Sequence, residues 1–286
     1  MRLGRRPSPF DPRTLKLSAY LDVSQLPPAP ASVSWGAKVS KWGMMLNDKI
    51  GDCTCAAPGH LLQQWTANDG PTQVTVSDND ILKAYCAVSG YVPGRPATDN
   101  GANMLDVLKY WQKIGIGGHK GIGYVSVDPK NLDQVKAALW LFGGLYGGCM
   151  IYNSWMSGDW DAATGGYAGG HAWELCSYSN GDFGVVTWGE VRRFTAKGWA
   201  ATMQAQKDAE LYAVLGPEWY GADKIAPSGF DLAALQNDLA IIAGQPLPNP
   251  VPTPTPTPPP TPVPTPTGTG TVTIGTTVYD VTLNAR

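Results

Sequence analysis

The sequence predicts an α+β protein, mainly helical in its first half and mainly antiparallel β in its second. Between residues 53 and 141, apolar residues recur at helical spacing behind turn or capping residues, as in "CTCAAPGHLLQQW" and "MLDVLKYWQK". From about residue 149 the texture changes to short apolar runs broken by glycines and by the turn signal Asn180-Gly181-Asp182. A Pro/Thr tract over 246–267 then separates a globular part, residues 1–245, from a short β-prone tail, residues 268–286.

Residues 1–52 read as irregular and extended, with prolines and a turn at Gly36 punctuating "LPPAPASVSWGAKV". Gly51-Asp52 makes a turn. After it Ala57, Leu61, Leu62 and Trp65 give one apolar face to a helix from Thr54 to about Ala67, which places Cys53 at the helix N-terminus. Asp78 is read as the N-cap of a second helix, "DNDILKAYCAV". Asn103 opens a third, whose stripe of Leu105, Leu108 and Trp111 ends at Gly115. A fourth covers Asn131 to Leu141, and the Gly-rich run behind it holds a buried strand from Cys149 to Tyr152.

The strand-like runs "GGHAWELCSYS" and "DFGVVTWGEVRRFT" pair antiparallel across "NGD". "FDLAALQNDLAIIAG" closes the globular part as a helix. In the Pro/Thr tract proline fixes φ and forces polyproline II, a stiff spacer of about 60 Å at about 3.1 Å per residue. The tail contains two β-prone runs flanking Gly275-Thr276-Thr277, readable as a hairpin that is marginal in isolation. Such a hairpin could pair with a protein scaffold by strand addition; a tail that binds nothing is the alternative.

A net charge of −2 gives no electrostatic footprint for nucleic acid, and the arginines of the opening "MRLGRRP" are expected to form a solvated tail. No apolar run reaches the roughly 18 residues that cross a bilayer, and no signal-peptide apolar region follows the arginines. The expectation is a cytoplasmic or virion-associated protein with no membrane partner. Five scattered cysteines leave at least one thiol unpaired and do not read as a disulfide framework, which fits a reducing compartment.

The chemistry centres on Cys53-Thr54-Cys55. A structural zinc site needs four ligands, usually with C-x₂₋₄-C spacing, and no second Cys/His pair matches; a C-x-x-C redox motif has the wrong spacing. No metal or cofactor is expected. A thiol at a helix N-terminus faces the positive end of the macrodipole, so its pKa is expected to be lowered. Amide hydrolysis also needs a histidine to protonate the leaving amine. His60 lies about 10 Å further along the same helix, at about 1.5 Å per residue, and reads as packed on its flank. His119, in a glycine-rich loop, reads as solvated. His171 follows Gly169-Gly170 at the start of an apolar strand, which holds the ring on a rigid element and leaves room for a substrate backbone. These arguments leave Cys53 and Cys55 both open as the nucleophile.

The stretch "VSWGAKVSKWGMMLND" ahead of Gly51-Asp52-Cys53-Thr54, and the segment "GGHAWELCSYSNGDFGVVTWGE", resemble the papain-like cysteine peptidases. They are also similar to papain-like proteins of bacteria and their phages that carry a Gly-Asp-Cys-Thr motif. The resemblance covers roughly residues 30–195 and implies a two-lobed fold, the helical lobe first and the antiparallel β lobe second. In the family an oxyanion-hole glutamine lies six residues before the nucleophile; Asn47 lies six before Cys53, while the same count from Cys55 lands on Lys49. The resemblance therefore implies Cys53 as nucleophile and Cys55 as a packed neighbour. It implies Asn47 and the Cys53 N–H as oxyanion donors, each worth about 3 kcal/mol in other hydrolases.

A His-Ala pair opening a strand, a tyrosine seven residues on (Tyr178) and Trp188-Gly189 imply His171 as the base, with Trp188 shielding its hydrogen bond from water. In register with Trp188 the family's orienting asparagine falls on Val186 and its serine on Thr187. Valine cannot orient an imidazole; Thr187 supplies the acceptor if the hairpin shifts by one. The implied activity is hydrolysis of a peptide or amide substrate through an acyl-enzyme. Two alternatives stay open: an acyl transferase using the same chemistry, and a catalytically weak attachment protein, such as a phage virion component, anchored through residues 268–286.

Overall fold

A computed structural model describes residues 1–19, 28–70, 72–220 and 226–228, together with the backbone of 269–274 and 277–282. The elements in chain order are β1 (Arg5–Arg6), β2 (Val33–Ser34), α1 (Cys53–Asp69), α2 (Asp78–Ser89), β3 (Ala102–Asn103), α3 (Met104–Lys113), β4 (Gly123–Ser126) and α4 (Leu132–Phe142). They continue with β5 (Leu145–Tyr152), β6 (Tyr167–Ser179), β7 (Asp182–Thr187), β8 (Glu190–Phe194), α5 (Ala196–Trp199) and β9 (Glu210–Leu215). The sheet is antiparallel, in the order β4-β9-β5-β6-β7-β8, and β2 adds to the C-terminal end of β6. This is the α+β arrangement expected, helices first and sheet second.

Local signals place most elements within a residue or two. Asn103 and Asn131 cap α3 and α4 by accepting from the N–H of Asp106 and Gln134. At α2 the cap is Ser77, whose hydroxyl accepts from Asp80 N–H; Asp78, read as the cap, is the first helical residue instead. The strand expected from Cys149 begins at Leu145, because the glycines 147 and 148 sit in the ladder where neighbouring side chains leave no room for a Cβ. The run "DFGVVTWGEVRRFT" is two strands: Trp188 and Gly189 both have positive φ (+49° and +75°), which makes a tight two-residue hairpin between Thr187 and Glu190.

The α1 helix departs most from its expected single apolar face: every residue from Cys53 to Thr66 is buried. Several of its polar groups are matched by distant partners, although Thr54 Oγ1, His60 Nδ1 and Gln64 Oε1 have none. Pro58 removes the N–H that the Thr54 carbonyl would accept from, and the Tyr146 hydroxyl of β5 donates to that carbonyl at 2.7 Å. Gln64 and Trp65 donate to the Gly143 carbonyl at the end of α4, satisfying its C-terminus. His60 is packed as expected, its Nε2 2.8 Å from the Gly43 carbonyl.

Glu174 of β6 is fully enclosed near Gln64 and neither carboxyl oxygen has a hydrogen-bond partner. Burial raises its pKa well above the usual carboxyl value of about 4.5. The folded chain thus keeps a proton that the unfolded chain releases above that pH, so the stability this proton confers is present at acid pH and lost as pH rises. Glu174→Gln, neutral at every pH, is expected to gain on wild type by up to about 1.4 kcal/mol per pH unit above about pH 4.5. Urea unfolding at several pH values between about 5 and 7 reads this directly, and parallel stability curves for the two proteins contradict it.

In a separate unit of the chain, β10 (Thr269–Ile274) and β11 (Thr277–Thr282) pair antiparallel. The helix expected over 230–244 and the Pro/Thr linker over 246–267 lie outside the described residues. No helix among the described residues is long and apolar enough to cross a membrane.

Candidate active site

Cys53 is the first residue of α1, the helix that packs against β6. His171 lies in β6 opposite Cys149 of β5. The backbone of Ala172, the residue after His171, hydrogen-bonds to the Cys53 thiol, which brings the start of α1 against the β6 segment that carries His171. Cys55 is buried in the core, as expected of a packing residue. All five cysteines are free thiols, and no cluster of three or more His, Cys, Asp or Glu among the described residues is arranged to hold a metal ion.

The imidazole is held on both ring faces and at one nitrogen. His171 Nε2 is 2.5 Å from the Thr187 hydroxyl, at the end of β7. Val186 instead lies opposite Glu174 in the β6–β7 ladder. The Trp188 indole stacks on the ring, 4.3 Å between centroids and 21° between planes, and Trp160 meets it edge-on at 6.2 Å. Trp188 can take this position because its positive φ turns it out of the strand path. Nδ1 of His171 is buried without a partner. Burial, then the nearby positive charge of Arg192, lower the His171 pKa to about 3, so the ring is neutral at physiological pH.

Of the opening arginines Arg2 and Arg6 are exposed, as expected, but Arg5 is buried. Residues 2–6 form a strap through the site, and β1 pairs parallel with β3, Arg5 opposite Ala102. Arg2 N–H donates to the Asn47 carbonyl at 2.9 Å, and Trp188 Nε1 donates to the Arg2 carbonyl at 3.2 Å. Ala102 N–H donates to the Gly4 carbonyl at 2.8 Å. The room that Gly169-Gly170 leaves beside His171 is filled by this strap: a Cβ on Gly170 would collide with the Arg5 carbonyl. Gly4 passes so close to Gly51 that it too has no space for a Cβ, and its backbone hydrogen-bonds to the Cys53 thiol.

Burial reverses the expected electrostatics of the thiol. It raises the Cys53 pKa to about 12 and Asp52 adds to the rise; hydrogen bonds from the Ala172 and Gly4 backbone and the Arg5 charge oppose it. The helix N-terminus does not outweigh that burial, so in this conformation Cys53 is a protonated thiol. Asn47 is buried with its amide Nδ2 donating to Asp52 Oδ1 at 3.1 Å, and Asp52 Oδ2 has no partner. Burial holds the Asp52 carboxyl well above its usual range. His119 is also paired rather than solvated: its Nδ1 lies 2.7 Å from Glu218. An open groove of about 930 Å³ lined by Lys41, Trp42, Met44, Trp188 and Gly189 adjoins the site.

Solved structures similar to this chain include a cysteine protease and a procathepsin. Xylellain, a cysteine protease from Xylella fastidiosa, superposes with a TM-score of 0.56 at 18% identity, covering 74% of this chain and 95% of that one. The digestive procathepsin L 3 of the Tenebrio molitor larval midgut gives 0.50 at 13% identity, over 68% and 72%. The fold is papain-like. No family model matches the sequence, and no curated protein matches it. Within the papain-like fold the residues that sequence reasoning missed are those of the strap and of its anchor, Asp208 and Glu210, which lie more than 200 positions from Arg5. The local signals for them are a glycine between the opening arginines and an acidic pair, Asp208 and Glu210, at the start of β9.

Proposed function

We propose that the protein is a cysteine hydrolase acting on peptide or related amide bonds, with Cys53 as nucleophile and His171 as general acid and base. The observation that carries this reading is the state of the imidazole: Nε2 is tied to Thr187, two indoles enclose the ring, and Nδ1 remains unengaged on the strand whose next residue touches the thiol. Displacing the strap returns water and a helix N-terminus to the sulfur, and a proton passes from Cys53 to His171. The thiolate attacks the amide carbon, and the oxyanion takes hydrogen bonds from the Cys53 N–H and the Asn47 amide once the latter leaves Asp52. The imidazolium gives its proton to the departing amine as the C–N bond breaks. Water, deprotonated by His171, then splits the thioester and frees the acid. Mixing the strap-displaced chain with a peptide ester tests this. A transient acyl adduct on Cys53 in the intact mass is expected, and its absence under conditions that trap such adducts rejects the reading.

Thr187 acts in this mechanism as a positioning residue, its hydroxyl oxygen accepting from the imidazolium Nε2–H. Thr187→Val is expected to lower kcat about 10- to 100-fold with little change in KM, since losing an orienting group weakens such sites without abolishing them. Thr187→Ser should recover most of the rate. Equal kcat for Val and Thr contradicts the assignment.

A further inference from the structure

The anchor of the strap is a built cation site beside the proposed nucleophile. Arg5 is 4% exposed, and its guanidinium meets Asp208 Oδ2 at 3.2 Å, Glu210 Oε1 at 2.5 Å and the Asp208 carbonyl. Glu210 is held by the wall itself: Tyr212 donates to its Oε2 at 2.9 Å, and it stands in β9 opposite Gly148 of β5. Gly148 is the floor, because a Cβ there would meet the Arg5 side chain at about 3 Å. Its neighbour Cys149 is the ladder partner of His171. The pocket therefore opens one residue along the sheet from the proposed base, and its occupant follows Gly4, the residue that touches the sulfur.

We propose that Asp208 and Glu210 form a specificity pocket for a cationic side chain, which Arg5 of the chain's own strap now occupies, and that the substrates are peptides carrying arginine next to the reacting bond. This rests on the hydrolase reading above and names its substrate class. Two carboxylates around one guanidinium leave excess negative charge when the strap lifts, and Glu210, the more enclosed of the two, is costly to leave without a counter-charge. A peptide bearing arginine restores the same contacts, whereas leucine leaves the carboxylates unpaired and glutamate adds repulsion. The fork of guanidinium donors spans both acids and the Asp208 carbonyl at once, so arginine is preferred over lysine, whose single ammonium cannot.

The experiment uses the full-length chain with Gly4→Ala, which displaces the strap, and Arg5→Met, which empties the pocket, as a second opened form. Protection of Cys53 against iodoacetamide by acetyl-dipeptide amides with Arg, Lys, Leu or Glu measures binding; matching peptidyl-aminomethylcoumarins measure turnover. Arginine is expected to protect at concentrations at least about tenfold lower than leucine. Glu210→Gln combined with Asp208→Asn should erase that difference, weakening protection by the arginine peptide and sparing the leucine peptide the cost of unpaired carboxylates. Equal protection by arginine and leucine, or a preference that survives the double substitution, overturns the pocket. Selective protection without turnover would instead overturn the hydrolase reading alone, and turnover without selectivity the pocket alone.

Discussion

Alanine at Cys53 is expected to abolish turnover by the strap-displaced chain, and alanine at His171 to lower kcat by at least about a thousandfold. The first loss is expected to be complete because the Cys53 sulfur carries the acyl intermediate in this mechanism. The second is nearly so because two steps need the ring, thiolate formation and protonation of the amine. Cys55→Ala, which changes only packing, should stay within a few-fold of the parent. Steady-state kinetics on the aminomethylcoumarin substrates, with circular dichroism to confirm folding, decide the matter. A His171→Ala protein that keeps more than about a tenth of the activity removes the histidine from the mechanism.

Gly4→Ala is expected to raise the rate of Cys53 alkylation at neutral pH about a hundredfold or more. The ideal Cβ would fall far inside contact distance of the Gly51 carbonyl, and Gly101 faces the Gly4 carbonyl with equally little room, at φ +71°. These are backbone atoms, so the strap must leave the cleft. Burial lifts the thiol to about 12, and water entering where the strap lay is expected to relieve it by more than the loss of the Gly4 hydrogen bond and the Arg5 charge restores. Each unit of pKa recovered above the working pH multiplies the thiolate fraction tenfold, and thiolate is the species that alkylates. Quantitative mass spectrometry after iodoacetamide pulses measures it. An unchanged rate would show that the strap does not guard the sulfur.

The parts of this arrangement that were legible in the sequence are local. Asn103 and Asn131 announce their helices because a cap and an apolar stripe lie within one turn of each other. Gly169-Gly170 marks His171 because glycine beside a strand signals a close backbone approach. The location of Thr187 was half visible: Trp188-Gly189 set the hairpin, but only the positive φ at both residues fixes which side chain turns toward the imidazole.

What stayed hidden depends on partners far away in the chain. The full burial of α1 rests on hydrogen bonds to Tyr146, Phe142 and Gly143 that no helical periodicity encodes. The strap pairs through two residues of β1 with β3, too short a strand to leave a pattern, and its charged anchor is 203 positions from Arg5 at Asp208. The thiol pKa was misjudged for the same reason. A helix N-terminus lowers it by a local effect, while burial among residues distant in sequence raises it by a larger, non-local one.

The most direct measurement is the pH dependence of Cys53 alkylation in Gly4→Ala, with and without His171→Ala. If sulfur and imidazole exchange a proton once the strap is out, the rate profile inflects below about pH 7 and moves back to about 8.5 or above when the histidine is removed. Profiles that coincide would contradict the coupling on which the account stands.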